Sequence, residues 1–273
     1  MKVRGVEAFQ WNPRRHRLPY LRPRHNNFGD LLGPVVVAKL LTDMLPQADV
    51  AARRGSPARK VMSVGSVMHF ADDDDVVWGT GVNGKVRTDE HRFSRLDVRA
   101  VRGPRTRRWL MENKGLEVPE VYGDPALLLA PPEGTDRRHE TRELTVIPNM
   151  NEITKFKSHP AFISPRRPVK NVLETIAASE VVVGSSLHAI VLAEAFGVPC
   201  ALLRSAVESP FKYSDYFEGT NRFDVPTFDD FSSAVAHAKS IDKSTYEPLE
   251  AWDPTLLRES FPSDLWAPPR QAH

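Results

Sequence analysis

Cys200 is the one cysteine in 273 residues, which excludes an internal disulfide framework and any multi-cysteine metal site. It sits in the apolar run PCALL, where a small buried thiol is the natural reading and redox chemistry is not expected. Long hydrophobic runs are missing as well. None reaches the roughly 20 residues that cross a bilayer, and MKVRGVEAF lacks the apolar block of a secretory signal. A cytoplasmic location is the expectation. Nor does one sign of charge dominate: 37 basic residues stand against 35 acidic ones, too even a balance to indicate nucleic acid as a partner. What the chain has in plenty is proline, 23 residues, within a composition that is otherwise that of a folded protein. The length suits two α/β domains of modest size.

The first half alternates short β-type runs with helical or loop segments: KVRGVEAF, FGDLLGPVVVAKLLTDML, KVMSVGSVM, DVVWGTGV and LDVRAVRG. Such alternation suggests βα units around a parallel sheet. Leu32, Val35, Val36, Leu40 and Leu41 recur near helical spacing, with Asn27 placed to cap the start. PRTRRWLMENKG reads as a second helix, opened by Pro104 and ended by Gly115. The pattern then restarts. ELTVIPN and AFISP read as strands, VKNVLETIAAS as a helix, EVVVG as a strand, SLHAIVLAEAFG as a helix and PCALL as a strand. Between the two systems lies APPEGTDRRHETR, rich in proline, glycine and charge, so a domain boundary is expected near residues 125 to 140. Trp252 and Trp266 in the proline-rich tail imply that it packs partly on the body.

The stretch VVVGSSLHAIVLAEAFGVPCALL sets Gly184, Ser185, Ser186 and His188 between an apolar strand and an apolar helix. A helix starting at the carboxyl edge of a sheet presents free amides and binds anions, phosphate above all. An ordinary histidine behind a serine cap fits the pattern equally well. Asp72 to Asp75 cannot converge easily on one ion, being consecutive, and read as a solvated turn; no metal is expected. Gly79, Gly81 and Gly84 have GxGxxG spacing, but KVRTDEHRF behind them shows no apolar helix face. Close approach to a ligand or a plain turn explains them equally. Arg102 at a strand end suits phosphate or carboxylate. Arg14, Arg15, Arg17, Arg22 and Arg24, with Tyr20 among them, form a basic loop that suits a polyanion or an anionic membrane face, or plain solvent.

Taken in order, NNFGD, VGSVMHF, DDVVWGTGV, VRGPRT, YGDPALLL, VIPN, SSLHAIVLAEAFGVP and FKYSDYF resemble the polysaccharide pyruvyltransferase family, in particular its bacterial exopolysaccharide ketal-pyruvyltransferases. The resemblance implies an α/β fold of two Rossmann-like domains facing a cleft, similar to GT-B glycosyltransferases. The acceptor side would be residues 1–130, the donor side 131–240, with a tail at 241–273. It implies transfer of pyruvate from phosphoenolpyruvate, as substrate and without a cofactor, to two hydroxyls of one sugar in a glycan or lipid-linked oligosaccharide. His188 matches the family's histidine, as proton donor, and Arg102 its arginine. Many members carry arginine where this chain has Ser186, so Lys212 or Arg204 would help Ser185 and Ser186 hold the donor's anionic groups. Asp30 would accept a proton from the acceptor hydroxyl, with Asn27, Gly79, Gly81 and Asn149 on the acceptor side. Peripheral contact with an anionic membrane through the basic loop is a further implication. A nucleotide-sugar glycosyltransferase and a non-catalytic glycan-binding protein are the alternative readings.

Overall fold

In the computed structural model, residues 1–14, 24–45, 59–131 and 142–266 are described. The basic-loop residues Arg15, Arg17, Tyr20 and Arg22 lie outside them, as does most of the segment expected to hold the domain boundary.

The chain opens with β1 (Lys2–Val3) and β2 (Val6–Ala8), which pair antiparallel. The single strand expected over KVRGVEAF is therefore a hairpin. Its turn residues Arg4 and Gly5 both take positive φ, 41° and 89°, the backbone that reverses a strand within two residues. Next comes α1 (Leu32–Met44), where Leu32, Val36, Val37, Leu40 and Leu41 are fully buried and Val35 faces outward. Asn27 does not cap it. A single 3₁₀ turn, Gly29–Leu31, precedes the helix, and the Asn27 amide donates to Asp30 instead. The strands β3 (Lys60–Met62), β4 (Val76–Trp78) and β5 (Asp97–Ala100) follow, and then α2 (Pro104–Lys114), with Pro104 at its first position and Gly115 left-handed at its end. The order of this sheet is β1-β2-β3-β4-β5, parallel from β2 onward. The order is sequential, without the reversal that marks a Rossmann sheet, and only 3₁₀ turns join β3 to β4 and β4 to β5.

The second sheet is built from β6 (Thr145–Val146), with α3 (Ile153–Phe156) and α4 (Val169–Ala177) leading to β7 (Val182–Gly184). After it come α5 (Leu187–Ala195), β8 (Cys200–Leu203), α6 (Phe211–Gly219), β9 (Thr227–Phe228) and α7 (Phe231–Ser240). The order β6-β7-β8-β9 is parallel throughout. AFISP contributes a single parallel bridge, Phe162 to Val146, on the far side of β6. The chain thus steps outward from β6 and returns to its other side at β7, which places a topological reversal between those two strands. Leu187 to Glu194 are all buried, as in a helix enclosed by its neighbours on every side.

The tail, with α8 (Thr255–Glu259), lies on the first sheet. Trp78 Nε1 donates to Leu257 O at 2.9 Å, Phe261 meets the Trp78 ring edge-on at 5.0 Å, and buried Trp266 donates to Val3 O at 3.0 Å. Buried apolar side chains from both sheets and from this tail form one continuous cluster. No helix among the described residues is long and apolar enough to cross a membrane.

Candidate active site

Strand reversal leaves a crevice at the carboxyl ends of the flanking strands, and a cleft of about 400 Å³ opens there. Asn149 follows β6, Ser186 and His188 follow β7, Asn27 and Asp30 precede α1, and Lys212 projects from α6, all lining this space. The floor is tight. A side chain on Gly184 would overlap Ile147 O, so glycine is what lets β7 end against β6. Ser185 turns inward, donating to Glu152 at 2.6 Å and accepting from Asn149 N at 3.1 Å. Asn149 is itself held by Glu152 and by Ser205 Oγ at 2.9 Å. These buried bonds fix the loop from which α5 starts. Ser186 is the extended N-cap of α5 and makes no side-chain cap bond, and among the described residues the amides of Leu187 and His188 find no acceptor. That end of the helix is ready for an anion.

His188 is nearly buried, and burial lowers its pKa to about 3, with the charges of Lys212 and Arg102 adding to the effect. Its Nε2 lies 3.6 Å from Asp124 Oδ2. Burial raises the Asp124 carboxyl to about 6, against an Ala126 amide bond and the Arg102 charge, which pull it down. Asp30 is lifted to about 6 by burial as well, while the Asn27 amide and Lys212 oppose the shift and Glu208 adds to it. Lys212 and Lys85 each place Nζ 2.9 Å from the same oxygen of Glu208. Two ammonium groups thus share one carboxylate. Burial lowers the Lys212 pKa while Glu208 resists the shift, and burial of Glu208 is outweighed by the two lysines, which keep it ionised.

The remaining sequence candidates lie elsewhere. Arg102 is fully buried, bound to Asp215 at 2.9 Å, Ser66 Oγ at 2.6 Å and Val82 O at 2.7 Å, so its fork is already spent on the protein. Gly81 makes room for that guanidinium, and Gly79, at φ 91°, makes room for Pro125. Neither glycine reaches the cleft. Arg204 is exposed, pairs with Asp229 at 2.7 Å, and lines a separate hollow of about 280 Å³. Asp72 to Asp75 diverge. Asp72 meets Lys60, Asp73 accepts from the amides of Ser94 and Arg95, Asp74 pairs with Arg95, and Asp75 accepts from the amides of Lys60 and Asp72. Among the described residues no three His, Cys, Asp or Glu side chains are placed to hold a metal ion.

Sequence reasoning missed Asp124, Lys85 and Glu208. Asp124 stood in YGDPALLL, where an acid before proline reads as a turn, and it does cap one. Lys85 followed the glycine loop, and Glu208 lay in a loop with no pattern.

The succinoglycan biosynthesis protein ExoV of Rhizobium meliloti (strain 1021) is 28% identical over 211 residues, an alignment covering 72% of this chain. The match spans 62% of that relative's length. No solved structure matches the chain. The model of the polysaccharide pyruvyl transferase family matches residues 27–206, a span that holds Asp30, Asp124 and His188 alike, and the chain belongs to that family.

Proposed function

We propose that the protein is a ketal-pyruvyltransferase that moves pyruvate from phosphoenolpyruvate onto two hydroxyls of one sugar in an exopolysaccharide or its lipid-linked precursor. The observation that carries this reading is the cleft itself. It gathers an excess cation, the open amides of α5 and an imidazole together with a carboxyl poised near neutrality. The donor's phosphate and carboxylate suit the cation and the amides, and a sugar hydroxyl suits Asp30.

In the reaction, C3 of the donor takes a proton from His188 and C2 becomes an oxocarbenium-like centre. One hydroxyl oxygen bonds to C2, the C2–O bond to phosphate breaks, and the second hydroxyl adds to close the ketal. Of the two hydroxyl protons released, one balances the proton taken by C3 and the other leaves with phosphate. Asp30, at about 6, is a base strong enough to accept such a proton and weak enough to be ionised at neutral pH. Lys212 and Lys85 stand in for the arginine that Ser186 lacks, and the α5 amides add fixed positive potential where phosphate charge develops. No cofactor enters these steps. The reading assigns the donor to the second sheet and the acceptor to the first, a two-sided cleft of GT-B type.

Only a ligand of the folded state raises its melting temperature. Phosphoenolpyruvate is expected to raise it and UDP- or GDP-sugars are not; the reverse result would replace this reading with a glycosyltransferase. Mass spectrometry of acceptor incubated with donor reads the ketal directly. The basic loop adds contact with an anionic bilayer: Arg14 and Arg24 are bridged at its base, and Arg24 holds Asn12 O at 2.7 Å. Reversing the charge of these arginines is expected to abolish binding to anionic liposomes.

A further inference from the structure

The imidazole of His188 and the carboxyl of Asp124 are two buried polar groups turned toward each other across 3.6 Å, and among the described residues neither Nε2 nor Oδ2 has a hydrogen-bond partner. Orphaned polar atoms are costly in a protein interior, and two that face each other are relieved by sharing a proton. An approach of less than 1 Å brings them to hydrogen-bond distance. Asp124 is well fixed for this. Its Oδ1 accepts from Ala126 N at 2.9 Å, which leaves Oδ2 directed at the ring, and Pro125 behind it fits against Gly79, where any side chain would collide with the proline. The other ring nitrogen, Nδ1, is not sealed. It abuts Gly29, where a side chain would overlap it, and the ring lines the cleft.

We propose that Asp124 is a positioning residue that holds His188 in the Nε2–H form, so that Nδ1 is the atom that takes up a proton when the donor binds and passes it to C3. The tautomer part stands on the geometry alone; the proton hand-over rests on the phosphoenolpyruvate reading. The charges around the pair are Lys212 of α6 and Arg102 after β5, both disfavouring imidazolium, while Arg102 also favours the Asp124 carboxylate and Tyr216 of α6 contributes a neutral phenol nearby. At rest the pair is a neutral imidazole donating Nε2–H to a carboxylate. A bound donor carrying phosphate and carboxylate charge cancels the field of Lys212 and adds the negative charge that offsets the cost of burying an imidazolium, and the ring then accepts a proton at Nδ1 while Asp124 stabilises the resulting cation. After transfer to C3 the resting form is restored without any change at Nε2.

Nitrogen-15 NMR of the full chain without ligand reads the tautomer of His188. Nε2–H is expected; Nδ1–H in the unaltered protein overturns the proposal whatever any variant does. Asp124→Asn preserves volume and the acceptor for Ala126 N, and it is expected to lose the Nε2–H preference. Calorimetry of phosphoenolpyruvate binding at pH 8 in buffers of different ionisation enthalpy is expected to show proton uptake by the unaltered protein and none by Asp124→Asn. Turnover of that variant is expected to fall 100-fold or more with little change in KM, and Asp124→Glu to recover part of it. Equal proton uptake by both proteins overturns the hand-over. If phosphoenolpyruvate binds neither protein, the donor assignment fails and the tautomer measurement still decides the pair.

Discussion

Asp30 is a carboxyl that folding makes harder to ionise, chiefly because burial raises its pKa from 3.8 to about 6. A carboxyl raised in this way adds to stability fully below pH 3.8, and that contribution is lost as pH rises through 6. Asp30→Asn is therefore expected to be more stable than the parent at pH 8, by roughly 1–2 kcal/mol, and no more stable at pH 4. Thermal melts at the two pH values read the difference. The same variant is expected to lose activity by about 100-fold or more and to lose the acid limb of the pH–rate profile near 6. Gain of stability with loss of turnover is the pattern of a residue kept for chemistry. Arg102 shows the opposite case. It matched a family arginine in sequence, yet its side chain is spent on Asp215, Ser66 and Val82 inside the protein. Arg102→Ala leaves Asp215 buried without its partner, and urea unfolding is expected to show a loss of about 3–5 kcal/mol.

The crevice depends on β6 and β7 ending side by side, and Gly184 sets how closely they do so. Gly184→Ala places a methyl group against a backbone carbonyl that cannot swing away, so β7 must withdraw from β6 and carry the start of α5 with it. A loss of about 2–4 kcal/mol in chemical denaturation is expected, together with weaker binding of inorganic phosphate. The helices α1, α2, α4 and α5 were legible in the sequence because each joins a periodic or continuous apolar run to clear punctuation, such as Pro104 and Gly115 around α2. The β1–β2 hairpin was not, since its turn needs Arg4 at positive φ, which nothing in KVRGVEAF announces. At the site, Asn27, Asp30, Asn149, Ser186, His188 and Lys212 were legible from motif and position, and the structure gathers all six. The pairing of His188 with Asp124 was hidden. The two residues come from segments that meet only through tertiary packing, and local spacing carries no information on such a meeting.

At the scale of the whole molecule, the largest core cluster takes side chains from α1 and the first sheet, from α4, α5 and the second sheet, and from the tail through Leu257, Phe261 and Trp266. Halves that share buried surface in this way do not unfold separately at low cost, because opening either one exposes the apolar face of the other. A single cooperative transition is therefore expected, with tryptophan fluorescence and far-UV circular dichroism coinciding. Trp266 tests the coupling from its far end. Its ring stacks on Phe261 at 5.6 Å, Phe261 meets Trp78 of β4, and its indole nitrogen holds Val3 O of the hairpin. Trp266→Ala is expected to cost about 3–5 kcal/mol and to shift both probes together, including the circular dichroism signal of helices in the second half that Trp266 does not touch. Two resolved transitions, with only one moved by the substitution, would mean that the shared core does not bind the two sheets into one folding unit.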